Sequence, residues 1–148
     1  MLKLSFALVA LGAASPLAAQ DLSTVQPVAG SWIYGATTSG TEARFNDAAG
    51  NTQLWVQCTR ANRRISIARP ATAAAPFLTV WTSSLTRNVP ASFNPAVNRL
   101  SIDLATFDPL LDAIVSSRGR VGYTIGTQPS LVVPPWPEPA RVIEDCRA

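Results

Sequence analysis

The chain has 148 residues, with 12 Lys+Arg against 9 Asp+Glu and no histidine. A net charge of +3 is too small for a nucleic-acid binder, which needs a concentrated basic face. Without histidine, the usual Ser-His-Asp and Cys-His nucleophile systems and His-built zinc or copper sites are excluded.

Residues 1–19 read as a cleavable secretory signal. Lys3 is the positive start, Leu4 to Ala14 the apolar stretch, Pro16 the break, and Ala18-Ala19 the small residues before the cut. The apolar stretch is about 11 residues, short of the roughly 20 that cross a bilayer. No later segment is apolar enough to span a membrane, and no cysteine follows the cut to carry a lipid. Residues 20–148 are then one mature domain, periplasmic or secreted. Lys3 is the only lysine and Met1 the only methionine, so the mature chain takes all its positive charge from arginine. That usage fits a GC-rich bacterial genome.

Short β-type segments follow, separated by turn signals, which points to an antiparallel sandwich or a partly open barrel. Gly30 to Tyr34 opens the sheet, Gly35 to Gly40 is a turn, and Thr41 to Phe45 is a second strand. Asn46 to Gly50 is another turn. In Thr52 to Thr59, Leu54, Val56 and Cys58 share one face, with Gln53, Trp55 and Gln57 on the other. Cys58 is therefore expected to point inward. Residues 60–63 turn, and Arg64 to Ala68 returns with Ile65 and Ile67 inward. Pro70 to Pro76 reads as an Ala/Pro linker and Phe77 to Thr82 as a resumed strand. Val89 to Phe93 reads as a short edge strand, because Pro90 removes a ladder donor. Asn98 to Leu104 alternates again.

One α-helix is expected, at about 108–118. Asp108 suits the N-cap and Pro109 the first helical position. Leu110, Leu111, Ile114 and Val115 form its apolar stripe, and Gly119 fits a left-handed cap. Arg120 to Ile125 and Leu131 to Val133 are late strands. Pro134 to Pro139 reads as stiff and extended, and Ala140 to Cys146 as a final half-buried segment.

Cys58 and Cys146 are the only cysteines. An even pair in an exported chain is expected to form a disulfide. Closing a loop of nearly 90 residues is worth about 4–5 kcal/mol in the chain-entropy model.

Few residues point to chemistry. With no lysine in the mature chain there is no Ser-Lys dyad or Schiff base, and no Gly-rich phosphate loop occurs. Asp108 and Asp112 lie four apart on the helix. A glycosidase-like pair would need them across a cleft with separated pKa values, and capping with solvation is the simpler role. Glu144 and Asp145 point to opposite sides of an extended segment. No catalytic, cofactor or metal residue is assigned. Arg63 with Arg64, in a hairpin turn, and Arg118 with Arg120, at the helix end, are candidate clamps for carboxylate or phosphate. Of the four tryptophans, Trp55 and Trp136 are the candidates for exposed contact, and Trp32 and Trp81 for the core.

The order of these elements resembles small exported proteobacterial β domains of the invasion-associated locus B and VasI-type families. The residues that carry the resemblance are the strand at Trp32, "TQLWVQCT" ending at Cys58, the strand at Trp81, the helix after Pro109, and the closing Cys146. It implies a sandwich-like fold, an envelope location and a non-enzymatic role. The expected function is a non-catalytic envelope protein acting through contacts with an envelope protein partner. A small-ligand or glycan binder is the alternative, and a small hydrolase the third reading.

Overall fold

A computed structural model describes residues 20–148; the expected signal at 1–19 lies outside the described residues. The chain is mainly β. Ten strands form two antiparallel sheets, accompanied by two helices.

Alternation builds the larger sheet. Strands β1 (Gly30–Ala36), β2 (Gly40–Asp47), β3 (Thr52–Thr59) and β4 (Arg64–Pro70) form a meander. Strand β8 (Arg99–Ala105) joins β4, and β7 (Ser92–Asn94) forms the far edge, giving the order β1-β2-β3-β4-β8-β7. The inward positions Phe45, Leu54, Val56, Cys58, Ile65, Ile67, Leu100, Ile102 and Leu104 are all at most 2% exposed. The inward phase expected for Cys58 is therefore what the sheet adopts.

The smaller sheet runs β10-β9-β5-β6, from β5 (Phe77–Trp81), β6 (Thr86–Pro90), β9 (Val121–Ile125) and β10 (Leu131–Val133). Leu78, Val80, Val89, Tyr123 and Ile125 turn inward and join one core with the larger sheet. Arg69 bridges the sheets: its Nη1 donates to the Tyr123 carbonyl at 2.7 Å, while its Nε is buried without a partner. Both sheets have two free edges, so among the described residues no barrel closes.

Val89 to Phe93 is not one edge strand. Val89 and Pro90 pair with β5, while Ser92 and Phe93 pair with β8, so the chain changes sheets at Ala91. Pro90 ends the first pairing where its missing N–H costs least.

The first helix, α1 (Pro109–Val115), is shorter than the expected 108–118. Asp108 caps it by accepting the Leu110 N–H at 2.9 Å. It ends at the Ser116 cap, beyond which the Ser117 N–H turns to the Ile114 carbonyl at 3.3 Å and the Ser117 Oγ donates to the Arg120 carbonyl. Gly119 does have positive φ, 74°, but within the turn beyond the Ser116 cap rather than at the helix end.

The second helix corrects the expectation of a single one. Residues expected to be extended form α2 (Pro137–Arg147). Pro137 and Pro139 fall in its first turn, where backbone N–H groups have no intrahelical acceptor, so neither proline removes a bond. Pro139, Val142, Ile143 and Cys146 then share a buried stripe at helical spacing. This stripe packs on β1 to β4. The Cys58–Cys146 disulfide pins it there, with a Cα–Cα distance of 5.5 Å.

Candidate functional site

The nominated residues separate rather than gather. Arg63, at φ 51°, donates to the C-terminal carbonyl of Ala148 at 2.8 Å. Arg64 opens β4, where the strand expected from Arg64 to Ala68 begins, so only Arg63 of this pair lies in the turn. Arg120 donates to the Val25 carbonyl at 2.6 Å, and the Arg118 N–H donates to Ser83 Oγ at 3.0 Å. The first pair is tied to the end of α2 and the second to the turn beyond α1, so no common clamp exists. Trp55 faces away from the core as expected, but the Arg99 guanidinium lies 3.6 Å above its ring. Trp136, 50% exposed, precedes α2.

The carboxylates are engaged in structural contacts. Asp108 takes a two-pronged hydrogen bond from Arg87, both at 2.8 Å. That contact holds its carboxyl below the usual carboxylate range, reinforced by the Leu110 N–H and opposed by partial burial. Asp112 pairs instead with Arg147 at 2.9 Å. The Arg147 Nε donates to the Thr106 carbonyl at 2.8 Å, which ties α2 to the α1 region. Glu144 and Asp145 lie on α2, not on an extended segment. Glu144 pairs with Arg147 at 3.4 Å, and Asp145 accepts the Tyr34 hydroxyl at 2.6 Å. That hydrogen bond raises the Tyr34 phenol above its ordinary value. Burial pushes the Tyr123 phenol up more strongly.

The unspent polar groups collect elsewhere, on the outer face of the smaller sheet. Two rows of cross-strand neighbours define the place. In one row Asn88, Thr79 and Thr124 stand side by side on β6, β5 and β9; in the next stand Thr86, Trp81 and Gly122. All but Gly122, which Leu22 covers, floor an open cleft of about 510 Å³. The β9–β10 turn forms one rim through Gly126, Thr127 and Gln128. Positive φ at Gly126, 51°, is the backbone form glycine adopts most readily.

A second part of the rim comes from a segment that carried no assignment in the sequence. Leu22 is 2% exposed and sits over Gly122, where an added Cβ would come within 2.1 Å of the Leu22 Cδ1. The glycine thus makes the seat for the leucine. Val28 donates to the Val132 carbonyl at 2.8 Å, so residues 20–28 form a strap across β9 and β10. Gln20 reaches the cleft, where its Oε1 accepts from Ser130 Oγ at 3.1 Å.

Among the described residues, no side chain lining this cleft is ionisable. Thr79 Oγ1 donates to Asn88 Oδ1 at 2.7 Å, which leaves the Asn88 NH2 donors free. Among the described residues, the Thr86 and Thr127 hydroxyls and the Gln128 side-chain carboxamide line the cleft without a partner within the protein, while the Gln128 backbone N–H bonds the Ile125 carbonyl. Trp81, expected in the core, is instead half-buried on the cleft floor. Its position was available from alternation: Thr79 and Trp81 share the face opposite Leu78 and Val80. Trp32, by contrast, is in the core, edge-on to Phe45 with centroids 5.5 Å apart.

Among the described residues, no group of three or more His, Cys, Asp or Glu side chains is placed to hold a metal ion. No family model, curated protein or solved structure matches the chain, so the cleft is read from its own geometry.

Proposed function

We propose that the chain is an exported, non-catalytic recognition domain, a two-sheet sandwich that binds through the outer face of its smaller sheet. The observation that carries the reading is the β5–β6–β9 cleft, where uncharged hydroxyl and amide groups converge around Trp81. Its volume falls in the range of small-ligand sites, roughly 300–1,000 Å³. The outer face of the larger sheet supports partner docking less well, because its polar groups bind one another. The Arg44 Nε lies 3.2 Å from Glu42, Gln57 donates to Glu42 at 2.7 Å, and Arg99 covers Trp55.

Recognition is favoured over chemistry because the groups that could titrate or attack are engaged. Asp108 holds Arg87 and caps α1, Asp112 holds Arg147, and Cys58 and Cys146 are bonded to each other. General acid–base catalysis needs a group poised near the working pH and aimed at a substrate. The buried disulfide is compatible with an oxidising compartment. Among the described residues, no helix is long and apolar enough to cross a membrane.

The test has two arms. Intact mass of the protein from an envelope fraction should match a chain starting near Gln20; full-length chain in the cytosol would overturn the export reading. Purified mature protein should turn over no peptidoglycan, ester, phosphoester or peptide substrate, with or without divalent metal. Turnover lost on Asp108→Asn or Asp112→Asn, with thermal stability retained, would replace this reading with a hydrolase.

A further inference from the structure

We infer that the ligand of this cleft is a neutral oligosaccharide, bound with a sugar ring stacked on Trp81. The inference rests on the recognition reading above and narrows it to one chemical class.

Three observations converge on that class. The first is that no side chain of the lining is charged. A ligand carrying several charges would give up water for a site whose one charge is the amino terminus expected at Gln20. The second is the kind of polar group present. Hydroxyls and carboxamides both donate and accept, as sugar hydroxyls do. Asn88, Thr86 and Gln20 can therefore each exchange paired bonds with a vicinal diol. The third is the aromatic floor. The C–H face of a pyranose is apolar and flat, and an indole offers a matching surface of low conformational cost. A peptide is served less well. Strand addition needs the free N–H and C=O groups of a sheet edge, and this cleft lies on a sheet face.

The same strand suggests the ligand's length. Phe77, 46% exposed, lies on the Trp81 face of β5, four residues away. At about 3.3 Å per residue the two Cα atoms are roughly 13 Å apart. One monosaccharide cannot reach both rings, whereas a short linear oligosaccharide can. The strap sets the other limit, because Leu22 fills the Gly122 position beside Trp81 and ends the floor there.

The experiment titrates isotope-labelled mature protein and follows backbone and indole N–H shifts. The probes are maltotetraose, cellotetraose and tri-N-acetylchitotriose, with tetragalacturonate as the anionic control and the neutral peptide Gly-Ser-Asn-Gly as the peptide arm. At least one neutral sugar should give saturable shifts confined to Thr79, the Trp81 indole, Thr86, Asn88 and Thr124. Trp81→Ala should weaken that binding at least tenfold, and Trp81→Phe should keep part of it. Phe77→Ala should weaken the oligosaccharide that binds and leave its single-ring counterpart, glucose or N-acetylglucosamine titrated alongside, unchanged. Trp55→Ala and Trp136→Ala should leave binding unchanged. Thermal melts of each variant separate lost binding from lost fold. Cleft shifts with the peptide or tetragalacturonate but no neutral sugar would overturn the glycan assignment and leave the cleft as the site. Shifts only around Trp55 or Trp136, or none with any probe up to its solubility limit, would overturn both.

Discussion

Both sheets carry polar side chains around a tryptophan on their outer faces and leave them in different states. On the six-stranded sheet, arginine, glutamate and glutamine pair off, and the one outward tryptophan lies under a guanidinium. On the four-stranded sheet, threonine, asparagine and glutamine leave donors and acceptors unspent around a half-buried tryptophan that lines the cleft. The difference follows from length and charge. Long side chains reach each other along a strand, as Arg44 does Glu42, and across to the next, as Gln57 does Glu42. Short neutral ones reach only an immediate neighbour, and the strap and the β9–β10 turn, joined through Gln20 and Ser130, rise beside them. The inner support differs too: the larger sheet is clamped to α2 by a disulfide, whereas the smaller one is held by packing and the strap.

The disulfide gives the largest way to separate the two. Replacing both partners, Cys58→Ala with Cys146→Ala, should cost about 2–5 kcal/mol in denaturant unfolding. The loss should be local in character. Amides of α2 should lose hydrogen-exchange protection, while shifts of Thr79, Trp81 and Asn88 stay in place. If the cleft residues shift as much as α2 does, the two sheets do not behave as separately supported parts.

The strap is the corresponding test on the other side. Leu22→Ala removes a fully buried side chain, with an expected cost of about 2–3 kcal/mol, the low end for a core leucine because an exposed segment can collapse into the space. Gly122→Ala attacks the same contact from below, since its Cβ would meet the Leu22 Cδ1 at 2.1 Å. Both should release the Val28 amide to exchange and open the cleft rim while the larger sheet keeps its protection. Unchanged exchange at Val28 in both variants would show that the strap is held by something other than Leu22.

The larger sheet was the more legible in the sequence, for the same reason that it is quieter. Its strands alternate over seven or eight residues, as in β3, and alternation reports directly on which face is buried. The disulfide followed from count and compartment, and the α1 cap from Asp108-Pro109. Three things were hidden. The α2 stripe is spread through a segment with three prolines in five residues, and proline suggests extension unless its place in the first turn is recognised. The change of sheet at Ala91 leaves no mark, because both halves of Val89 to Phe93 look like strand. The cleft is assembled from single residues on three strands, a turn and a strap, so no local pattern contains it. Alternation in β5 did place Thr79 and Trp81 together, but nothing local showed that the face above them is open.

Asp108 tests the link between the smaller sheet and α1, since Arg87 comes from β6. Asp108→Asn keeps a competent cap but loses the charge, so its cost should be about 1 kcal/mol at neutral pH. The ion pair is worth no more than that because Arg87 is 39% exposed and solvent screens it. Asp108→Ala also removes the cap and should cost about 1–2 kcal/mol. The pH dependence has a definite sign. The folded carboxyl titrates below its unfolded value, so the stabilisation is complete above about pH 4 and is lost as pH falls through the folded pKa. Acid unfolding of the Asn variant should therefore be shallower than that of the parent. Equal slopes would mean that Asp108 does not sense the Arg87 charge.

The smallest expected effect bears most directly on why the larger sheet's face is quiet. Arg99 lies 3.6 Å over the Trp55 ring, and beneath the pair Ala68 is only 4% exposed. A cation over an indole at a partly exposed site contributes about 0.5–1 kcal/mol. Arg99→Ala should therefore lower stability by no more than about 1 kcal/mol, with some of the loss coming from the methylene stem that shields Ala68. Arg99→Lys should restore part of it, because an ammonium keeps the charge but not the flat stacking. The Trp55 indole N–H shift should move in both variants, and neutral-sugar binding at Trp81 should not. The informative result is what Trp55 does once bare. It would stand on a flat face flanked by Gln53 and Gln57, with no raised rim on either side. If the sugars that shift Trp81 leave bare Trp55 unshifted, the hollow and its unspent hydroxyls make the site, and an exposed indole alone does not. If bare Trp55 binds them as well, Arg99 is what keeps that face silent, and the distinction between the two sheets reduces to one arginine.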